Sequence, residues 1–415
     1  MRRTDHSKSA GDVVAALDVG TAKVACLVAW PDTAGNLLLG GIGQQRSRGI
    51  KSGTVTDGDE AERAVRAAIG QAERMAGVTV DRVRLAMVCG RIGMANFVAR
   101  ARLAAPVARQ VDVERVRVGA EAYLERCGRT LVQLAHAEWH LDGAAGIRDP
   151  RGMAGRELAL GLVAITADEG PTRNLVAIVE RCHVVVEQII AAPVASALAV
   201  TTPEERAIGT LVVDIGAGTT TLARFADGRL DYLEAIPVGG DHITYDIARA
   251  LVTAVAEAER IKTLYGTLVK ASSDDSELLS YPMIGNGEPV PYQTSKARIR
   301  GIIEPRVEAW LSLVEERLAG RGCGRLSGAT ALGTVLTGGA SQLLGLDTAW
   351  MQRFGGIARI GRPTPIGRMP ESLCSPALST ALGLVQAESA SPARAGDGAG
   401  YGYIDRVQQW IRNSF

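Results

Sequence analysis

Two segments of the sequence combine a carboxylate with a turn rich in glycine. Residues 14–30 read VAALDVGTAKVACLVAW, and residues 211–225 read LVVDIGAGTTTLARF. In each, an apolar strand ends at an aspartate, Asp18 or Asp214, and small or hydroxyl residues precede a second apolar run. Such a turn can present backbone N–H groups to an anion. A neighbouring carboxylate would repel phosphate unless a cation lay between them, and Mg²⁺ binds both kinds of oxygen.

Either segment alone is also typical of an ordinary tight hairpin. Their repetition with the aspartate at the same place favours a site for Mg²⁺ and phosphate, and it predicts a duplicated α/β unit with a cleft between the halves. A third segment, VLTGGASQLLGL at residues 335–346, predicts a strand, a double glycine and the start of a helix. A helix N-terminus of this kind can receive a phosphate or an adenine ring.

Periodicity predicts the elements that position these turns. Apolar residues at helical spacing predict helices at 59–76, 240–265 and 296–319, and strands are expected on both sides of each aspartate. A mixed block at 86–161, with strands around one charged helix, predicts a small inserted subdomain.

Composition limits the class of protein. The chain has 415 residues, enough for several domains, and its 46 basic residues nearly balance its 45 acidic ones, so nucleic acid is not an expected partner. Six cysteines without CxxC spacing, and a polar start without a signal peptide, predict buried reduced thiols in a cytoplasmic protein. The apolar run IIAAPVASALAV is too short to cross a bilayer and predicts a buried helix.

The order of these segments is similar to that of the actin-like ATPase superfamily: first hairpin, connecting helix APVASALAV, second hairpin, adenosine segment LTGGAS, and second connecting helix PALSTALGLV. Within it, GIRDPRGMAGREL, IPVGGDHITYDIARAL and AEAERIKTLYG resemble the FtsA family of bacterial cell-division proteins. The resemblance covers residues 12–386 and the C-terminal end. It implies an α/β, actin-like (ribonuclease H-like) duplicated fold, with two lobes around a nucleotide cleft and an FtsA-type 1C insert.

The resemblance also implies a division into subdomains. Subdomains 1A and 2A would hold the hairpins, and subdomain 1C would replace the 1B subdomain of actin. The expected boundaries are a disordered arm at 1–12, subdomain 1A at 13–85 and 162–207, subdomain 1C at 86–161, subdomain 2A at 208–239 and 331–386, subdomain 2B at 240–330, a flexible linker at 387–402 and an amphipathic membrane-targeting helix at 403–415.

Residue by residue, the resemblance implies a site for ATP and Mg²⁺. Asp18 and Asp214 would organise the metal through waters. Glu259 and Lys262 match the ribose-contacting pair of related ATPases, although their helical spacing is equally that of a surface ion pair. The other expected contacts are Gly20, Thr21, Lys23, Gly216, Gly218, Thr219 and Thr220 along the phosphates, and Gly338, Gly339 and Ala340 facing the adenosine.

The function implied is an ATP-binding, self-polymerising adaptor on the cytoplasmic side of the inner membrane at the division site. Subdomain 2B would bind the C-terminal tail of FtsZ, tethering its filaments, and the 1C insert would recruit later division proteins. An actin-fold small-molecule kinase and a pilus-assembly relative stay open as alternatives. A kinase would need a substrate base, and no Asp or Glu motif for one is found; a heat-shock chaperone would need a longer domain after residue 386.

One departure from the superfamily concerns turnover. Several relatives have Glu just before the proline of the first connecting helix, and in the rod-shape filament protein this acid positions the attacking water. Here Ala191 and Ala192 precede Pro193, and FtsA-like sequences generally lack the acid too. We therefore expect a slow ATPase at most, with nucleotide binding as the main role.

A pair of histidines has a spacing that resembles a metal motif. His136 and His140 lie four residues apart, but HAEWH is not the HExxH zinc motif, so a strand is expected there and not a metal site.

The C-terminal YIDRVQQWIRNSF follows a Gly-, Pro- and Ser-rich segment and predicts a short helix with one apolar stripe. With arginines on its other face, it is expected to lie on an anionic membrane surface. The stripe consists of Tyr403, Ile404, Val407, Trp410, Ile411 and Phe415.

Overall fold

The computed structural model describes residues 13–126, 129–285, 291–319 and 333–387. The predicted arm at 1–12, nearly all of the predicted linker and the predicted tail helix lie outside the described residues. The strands are β1 (Val14–Val19), β2 (Lys23–Pro31), β3 (Leu37–Arg46), β4 (Ile50–Lys51), β5 (Thr54–Val55), β6 (Arg82–Met87), β7 (Gly93–Arg102), β8 (Arg129–Leu141), β9 (Ala144–Ile147), β10 (Glu157–Asp168), β11 (Val185–Ala191), β12 (Thr210–Ile215), β13 (Thr220–Ala226), β14 (Arg229–Ile236), β15 (Leu278–Pro282), β16 (Pro291–Ser295), β17 (Gly333–Thr337) and β18 (Ala358–Ile360). The α-helices are α1 (Gly58–Ala76), α2 (Gln110–Arg126), α3 (Glu169–Glu180), α4 (Ala192–Val200), α5 (Pro203–Ile208), α6 (Gly240–Leu251), α7 (Val255–Tyr265), α8 (Lys296–Leu318), α9 (Leu346–Phe354) and α10 (Ser379–Gln386).

The two halves of the chain build sheets with the same strand order. The first sheet runs β11-β6-β1-β2-β3, and the second contains β18-β17-β12-β13-β14. In both, the first three strands of the half are antiparallel neighbours, and the two later strands add in parallel beside the first. This repeated topology confirms the predicted duplicated α/β unit.

The first hairpin of each half also repeats residue by residue. Asp18 lies opposite Ala25 in the β1–β2 pair, and Asp214 lies opposite Thr221 in the β12–β13 pair, so each aspartate faces the residue seven positions later. A four-residue turn closes each hairpin. The apolar residues that fill these strands are buried on both sides, as expected for strands covered by helices.

The two connecting helices, α4 and α10, cross between the sheets. They are apolar on nearly every side and almost completely buried, as the sequence predicted for α4. They approach so closely that a Cβ on Gly383 would lie 1.7 Å from the carbonyl oxygen of Ala195. Only glycine fits at this point, and the surrounding core is made largely of alanine and other small side chains.

A buried arginine holds the C-terminal end of α10. The Arg84 guanidinium, on β6, donates hydrogen bonds to the carbonyl oxygens of Leu384 at 3.1 Å, Val385 at 3.4 Å and Ala387 at 2.7 Å. The last carbonyls of a helix lack partners within the helix and carry partial negative charge. Arg84 therefore satisfies them and joins the end of the described chain to the first sheet.

The inserted block is an antiparallel sheet covered by α2. Strand β10 pairs with β7 on one side and with β8 on the other, and α2 packs on this sheet over its own apolar core. The HAEWH segment lies in β8, as predicted. The paired strands extend to Asp168, beyond the expected boundary at residue 161. A single bridge between Glu234 and Gly93 connects this sheet to the sheet of the second half.

The predicted single helix at 240–265 is wrong, because α6 and α7 are separate helices. Val252, between them, has a left-handed backbone with φ of 51°. The backbone N–H of Ile284 donates to the carbonyl of Val252 at 2.7 Å, and the Thr253 hydroxyl donates to the carbonyl of Pro282 at 2.5 Å. These contacts with a distant loop stabilise the break. The predicted helices at 59–76 and 296–319 are confirmed by α1 and α8.

The described cysteines are free thiols. Cys26, Cys89 and Cys374 are buried as predicted, whereas Cys182 is partly exposed. Burial raises the pKa of the Cys26 and Cys89 thiols to about 12.

None of the helices in the described ranges is long and apolar enough to span a membrane.

Candidate functional site

The two hairpin turns have the same internal hydrogen bond and meet at their tips. The Gly20 N–H donates to the carbonyl of Lys23 at 3.0 Å, and the Gly216 N–H donates to the carbonyl of Thr219 at 2.8 Å. A Cβ on Gly218 would lie 2.6 Å from the Thr21 hydroxyl oxygen, so glycine permits this close approach. Gly20 and Gly216 therefore use their N–H groups inside the turns and determine the shape of the turns. An anion bound here would need other hydrogen-bond donors.

Three charged groups interact between the hairpins. Burial raises the pKa of Asp18 to about 6, against the lowering effect of Lys23, and the charge of Asp214 raises it further. Burial lowers the pKa of Lys23, while Asp18 and Asp214 both act to raise it. Two carboxylates thus share one ammonium group in a desolvated position. This excess of negative charge fits a site that takes an additional cation.

The Asp214 carboxylate lies beside the connecting helices of both halves. Its Oδ2 accepts a hydrogen bond from the Thr380 hydroxyl of α10 at 3.1 Å. Burial raises its pKa, and hydrogen bonds from Ser196 and Thr380 and the charge of Lys23 oppose that rise. A Cβ on Gly338 would lie 2.2 Å from Asp214 Oδ1, and Gly338 has φ of 85°, so this position requires glycine on two grounds.

The predicted ribose pair lies beside the second hairpin. Glu259 and Lys262 form an ion pair on α7 at 2.6 Å, and the Thr244 hydroxyl of α6 donates to Glu259 at 2.5 Å. Lys262 also donates to the Gly240 carbonyl at 3.2 Å. The Gly240 N–H in turn donates to the Gly216 carbonyl at 2.9 Å. The pair is therefore held against the hairpin turn and is more than an isolated surface contact.

The adenosine segment closes the same side of the cleft. Strand β17 ends at Thr337, beside Asp214, and Gly339 begins a 3₁₀ helix that ends at Gln342. The predicted helix start is thus one short 3₁₀ turn and not an α-helix. A Cβ on Gly240 would lie 3.0 Å from the Cβ of Ala340, which places Ala340 directly against the start of α6.

Thr220 differs from the other predicted phosphate residues. Its side chain is fully buried, its hydroxyl donates to the Val238 carbonyl at 2.7 Å, and it accepts from Trp310 Nε1 at 3.0 Å. These bonds fasten β13 to α8, so we leave Thr220 out of the proposed phosphate contacts. Glu259 and Gly339 are exposed at the edge of the site. The other predicted residues are buried or partly buried around the two turns and the segments just described: Asp18, Gly20, Thr21, Lys23, Asp214, Gly216, Gly218, Thr219, Lys262, Gly338 and Ala340.

Comparison with known proteins decides the family. A family model for the cell division protein FtsA matches residues 211–383, and a model for the SHS2 domain inserted in FtsA matches residues 90–166. The chain is 36% identical over 429 residues to the cell division protein FtsA of Agrobacterium fabrum, covering 99% of this chain and 96% of that protein. It is 33% identical over 422 residues to FtsA of Escherichia coli K12, covering 97% and 98%. The chain belongs to the FtsA family of cell division proteins.

Membership of the FtsA family supports a role in the division machinery. The SHS2 match corresponds to the insert between β7 and β10, slightly later in the chain than predicted. Among solved structures, the fold resembles the PilM-PilN type IV pilus biogenesis complex, at 16% identity and a TM-score of 0.62, covering 90% of this chain and 97% of that one. It also resembles MreB 5 of Spiroplasma citri bound to AMPPNP, at 16% identity and a TM-score of 0.53, covering 98% and 100%. These likenesses confirm the actin-like fold and nothing more specific.

The residues of this FtsA-family chain suit a hydrated magnesium ion. Within the described ranges, no group of three or more His, Cys, Asp or Glu side chains is arranged to enclose a metal. Mg²⁺ needs no such cage, because it usually keeps several waters and binds one or two carboxylates together with phosphate oxygens. Asp18 and Asp214, desolvated and short of positive charge, match that requirement.

The first connecting helix offers no acid at its start. Ala192 is buried, and the backbone N–H of Ala191 donates to the side-chain oxygen of Gln133, on β8, at 3.3 Å. His140, also on β8, lies 4.0 Å from Glu138. The side chain of His136 lies outside the described residues.

Sequence reasoning missed several residues that touch the site. Ser196 and Thr380 are hydroxyl residues in the otherwise apolar helices α4 and α10, and a buried hydroxyl in such a helix needs a partner. Their place in these apolar helices was the available signal. Asp241 was also missed: its N–H donates to the Ala217 carbonyl at 2.8 Å, and burial raises the pKa of its carboxyl while Lys262 lowers it.

Proposed function

We propose that the chain binds ATP with Mg²⁺ in the cleft between the two hairpin turns. The observation that carries this proposal is that the two hairpin turns meet, with Gly218 against Thr21, where the charges of Asp18, Lys23 and Asp214 act on one another. The magnesium ion supplies charge neutralisation between carboxylates and phosphate when it is bound. Asp18 and Asp214 would hold it through its waters, and Lys23 would add positive charge beside the phosphates.

The remaining residues would fix the nucleoside. Glu259 and Lys262 would contact the ribose, and Gly338, Gly339 and Ala340 would lie against the adenosine. Structures of MreB 5 of Spiroplasma citri bound to ADP and to AMPPNP, which share this fold, support a nucleotide as the ligand.

We further propose that this division protein is a self-polymerising adaptor that tethers FtsZ filaments to the cytoplasmic face of the inner membrane. Family membership supports the division role, and the amphipathic pattern of residues 403–415 supports membrane contact. The FtsZ C-terminal tail would bind subdomain 2B, at 240–330. That region exposes apolar side chains suited to a peptide: Tyr245, Val252, Leu278, Ile284 and Tyr292.

The insert would recruit later division proteins. Its surface exposes a second set of apolar side chains, away from the nucleotide cleft: Val98, Val107, Val111, Val118 and Met153. We propose these side chains as the positions at which partner proteins would contact the insert.

Co-sedimentation with liposomes tests the adaptor. FtsZ is expected to pellet with anionic liposomes only when this protein is present. Trp410→Glu, or deletion from Tyr403 onward, is expected to release both proteins into the supernatant, because it removes the apolar stripe that would enter the interface. Nucleotide binding should be unchanged.

Gln409→Glu is the matched control. It introduces the same charge on the polar side of the same predicted helix and should leave most of the protein in the pellet. If the truncated protein still sediments with anionic liposomes, the membrane contact lies elsewhere in the chain.

Turnover of ATP is expected to be far slower than the ~10 s⁻¹ typical of enzymes. The reason is the absence of an acid at Ala192, where faster relatives carry Glu to position water. Nucleotide binding would then act chiefly by shifting the equilibrium between assembly states. Steady-state phosphate release measures the rate, with Asp214→Ala protein as the background for contaminating ATPases. A rate near the enzymatic median would contradict this prediction.

A further inference from the structure

Hydroxyl groups of both connecting helices lie beside the Asp214 carboxylate. Thr380, in the first turn of α10, donates to Oδ2 at 3.1 Å and is 8% exposed. Ser196, in the middle of α4, is fully buried and, like Thr380, acts to lower the pKa of the Asp214 carboxyl. Thr380 follows Asp214 by 166 residues and Ser196 precedes it by 18, yet both lie beside this one side chain.

The position of these donors is fixed by packing. The helices cross where the absence of a side chain on Gly383 lets α10 touch the backbone of Ala195, so neither helix can move closer to the other without a clash. The hydroxyl of Ser379, adjacent to Thr380, is held at 2.7 Å by Thr337 of β17. The start of α10 is thereby anchored to the strand that pairs with the strand of Asp214.

The Ser196 hydroxyl donates within its own helix. Its oxygen lies 3.1 Å from the carbonyl oxygen of Ala192, one turn earlier in α4. A hydroxyl has one proton to donate, and a carboxylate is the stronger acceptor. Rotation of the Ser196 side chain would direct that proton to Asp214, and until then the bond to Ala192 keeps the buried hydroxyl satisfied.

From this geometry we propose that Thr380 and Ser196 are positioning residues that orient the Asp214 carboxylate for the magnesium ion. They would not touch the nucleotide. They restrict the rotation of the carboxylate and replace the water it loses on burial, so the oriented, charged side chain is present before the cation arrives. The inference rests on the proposed Mg-ATP site and assigns the residues that tune it.

Equilibrium binding of a non-hydrolysable ATP analogue to the full-length protein tests the proposal. The affinity is measured with saturating Mg²⁺ and again in EDTA, and the ratio of the two reports the contribution of the metal. Thr380→Val, which keeps the shape and removes the hydroxyl, is expected to lower this ratio by about tenfold. Thr380→Ser should restore it. Thr172→Val, which removes a buried hydroxyl from the first turn of α3, should leave it unchanged.

The outcomes separate the possible roles. An unchanged ratio for Thr380→Val, or an equal loss of affinity with and without Mg²⁺, would overturn the positioning role. Ser196→Ala provides the same test if Thr380→Val does not fold. Asp214→Ala is measured in parallel: if it abolishes the Mg²⁺ dependence while Thr380→Val and Ser196→Ala do not alter it, only this inference fails. If Asp214→Ala also retains the full Mg²⁺ dependence, the proposed metal site itself is wrong.

Discussion

Asp214→Ala is expected to weaken binding of ATP in the presence of Mg²⁺ by at least about 30-fold. Removing one member of a buried set of interacting charges typically costs about 2 kcal/mol or more, and each 1.4 kcal/mol is about tenfold in affinity. The variant also leaves the Thr380 hydroxyl without its carboxylate acceptor. Isothermal titration calorimetry with and without Mg²⁺ measures the effect.

Asp231→Ala is the control for this substitution. Asp231 lies on β14, outside the cleft, and pairs with Arg224 at the surface at 2.8 Å. Surface pairs of this kind contribute about 0–1 kcal/mol, so this variant should bind Mg-ATP as the unaltered protein does. An affinity for Mg-ATP that is equal in Asp214→Ala and Asp231→Ala would contradict the proposed metal role of Asp214.

Gly383→Ala is expected to destabilise the fold by about 3 kcal/mol, and by more if the helices cannot separate. The added Cβ would stand 1.7 Å from the Ala195 carbonyl oxygen and 2.4 Å from its carbon. Both atoms belong to the backbone of a buried helix, so no side-chain rotation can relieve the contact. The measurement is the midpoint of denaturation by heat or urea.

Gly301→Ala is the matched control, because it is the same substitution in another α-helix. Gly301 lies in α8, is exposed, and has no atom within 4 Å of its would-be Cβ. Alanine is intrinsically more favourable than glycine in a helix, so Gly301→Ala should stabilise by up to ~1 kcal/mol. A denaturation midpoint for Gly383→Ala that matches that of Gly301→Ala would mean the helices do not cross as described.

Local patterns predicted the hairpins, because strand, aspartate and turn follow one another directly in the sequence. The duplication was visible for the same reason, since Asp18 and Asp214 occupy equal places in equal patterns. The place of Thr220 within its hairpin could not be predicted, because three consecutive threonines do not reveal where the turn ends and the strand begins. The structure starts β13 at Thr220, and the pleat directs its side chain into the core.

Features set by distant parts of the chain could not be predicted. Neither glycine nor proline marks the break at Val252, which depends on contacts with the loop that follows β15. The bridge between Glu234 and Gly93 joins two subdomains whose proximity no local pattern encodes. Ser196 and Thr380 lie beside Asp214 only because two helices from different halves cross there.

The bonds from Arg84 to the end of α10 have a mechanical consequence. Any pull on the chain beyond residue 387 reaches the folded body first at the Ala387 carbonyl and the last turn of α10, where Arg84 ties them to β6. Strand β6 lies inside the first sheet, between β1 and β11, so the load passes into paired strands on both sides of it. If the protein attaches to a membrane through its C-terminal end, the force on that attachment would act on the interior of the first lobe. Thermal motion of the attached segment would therefore load β6 and its neighbouring strands before it reached the hairpins.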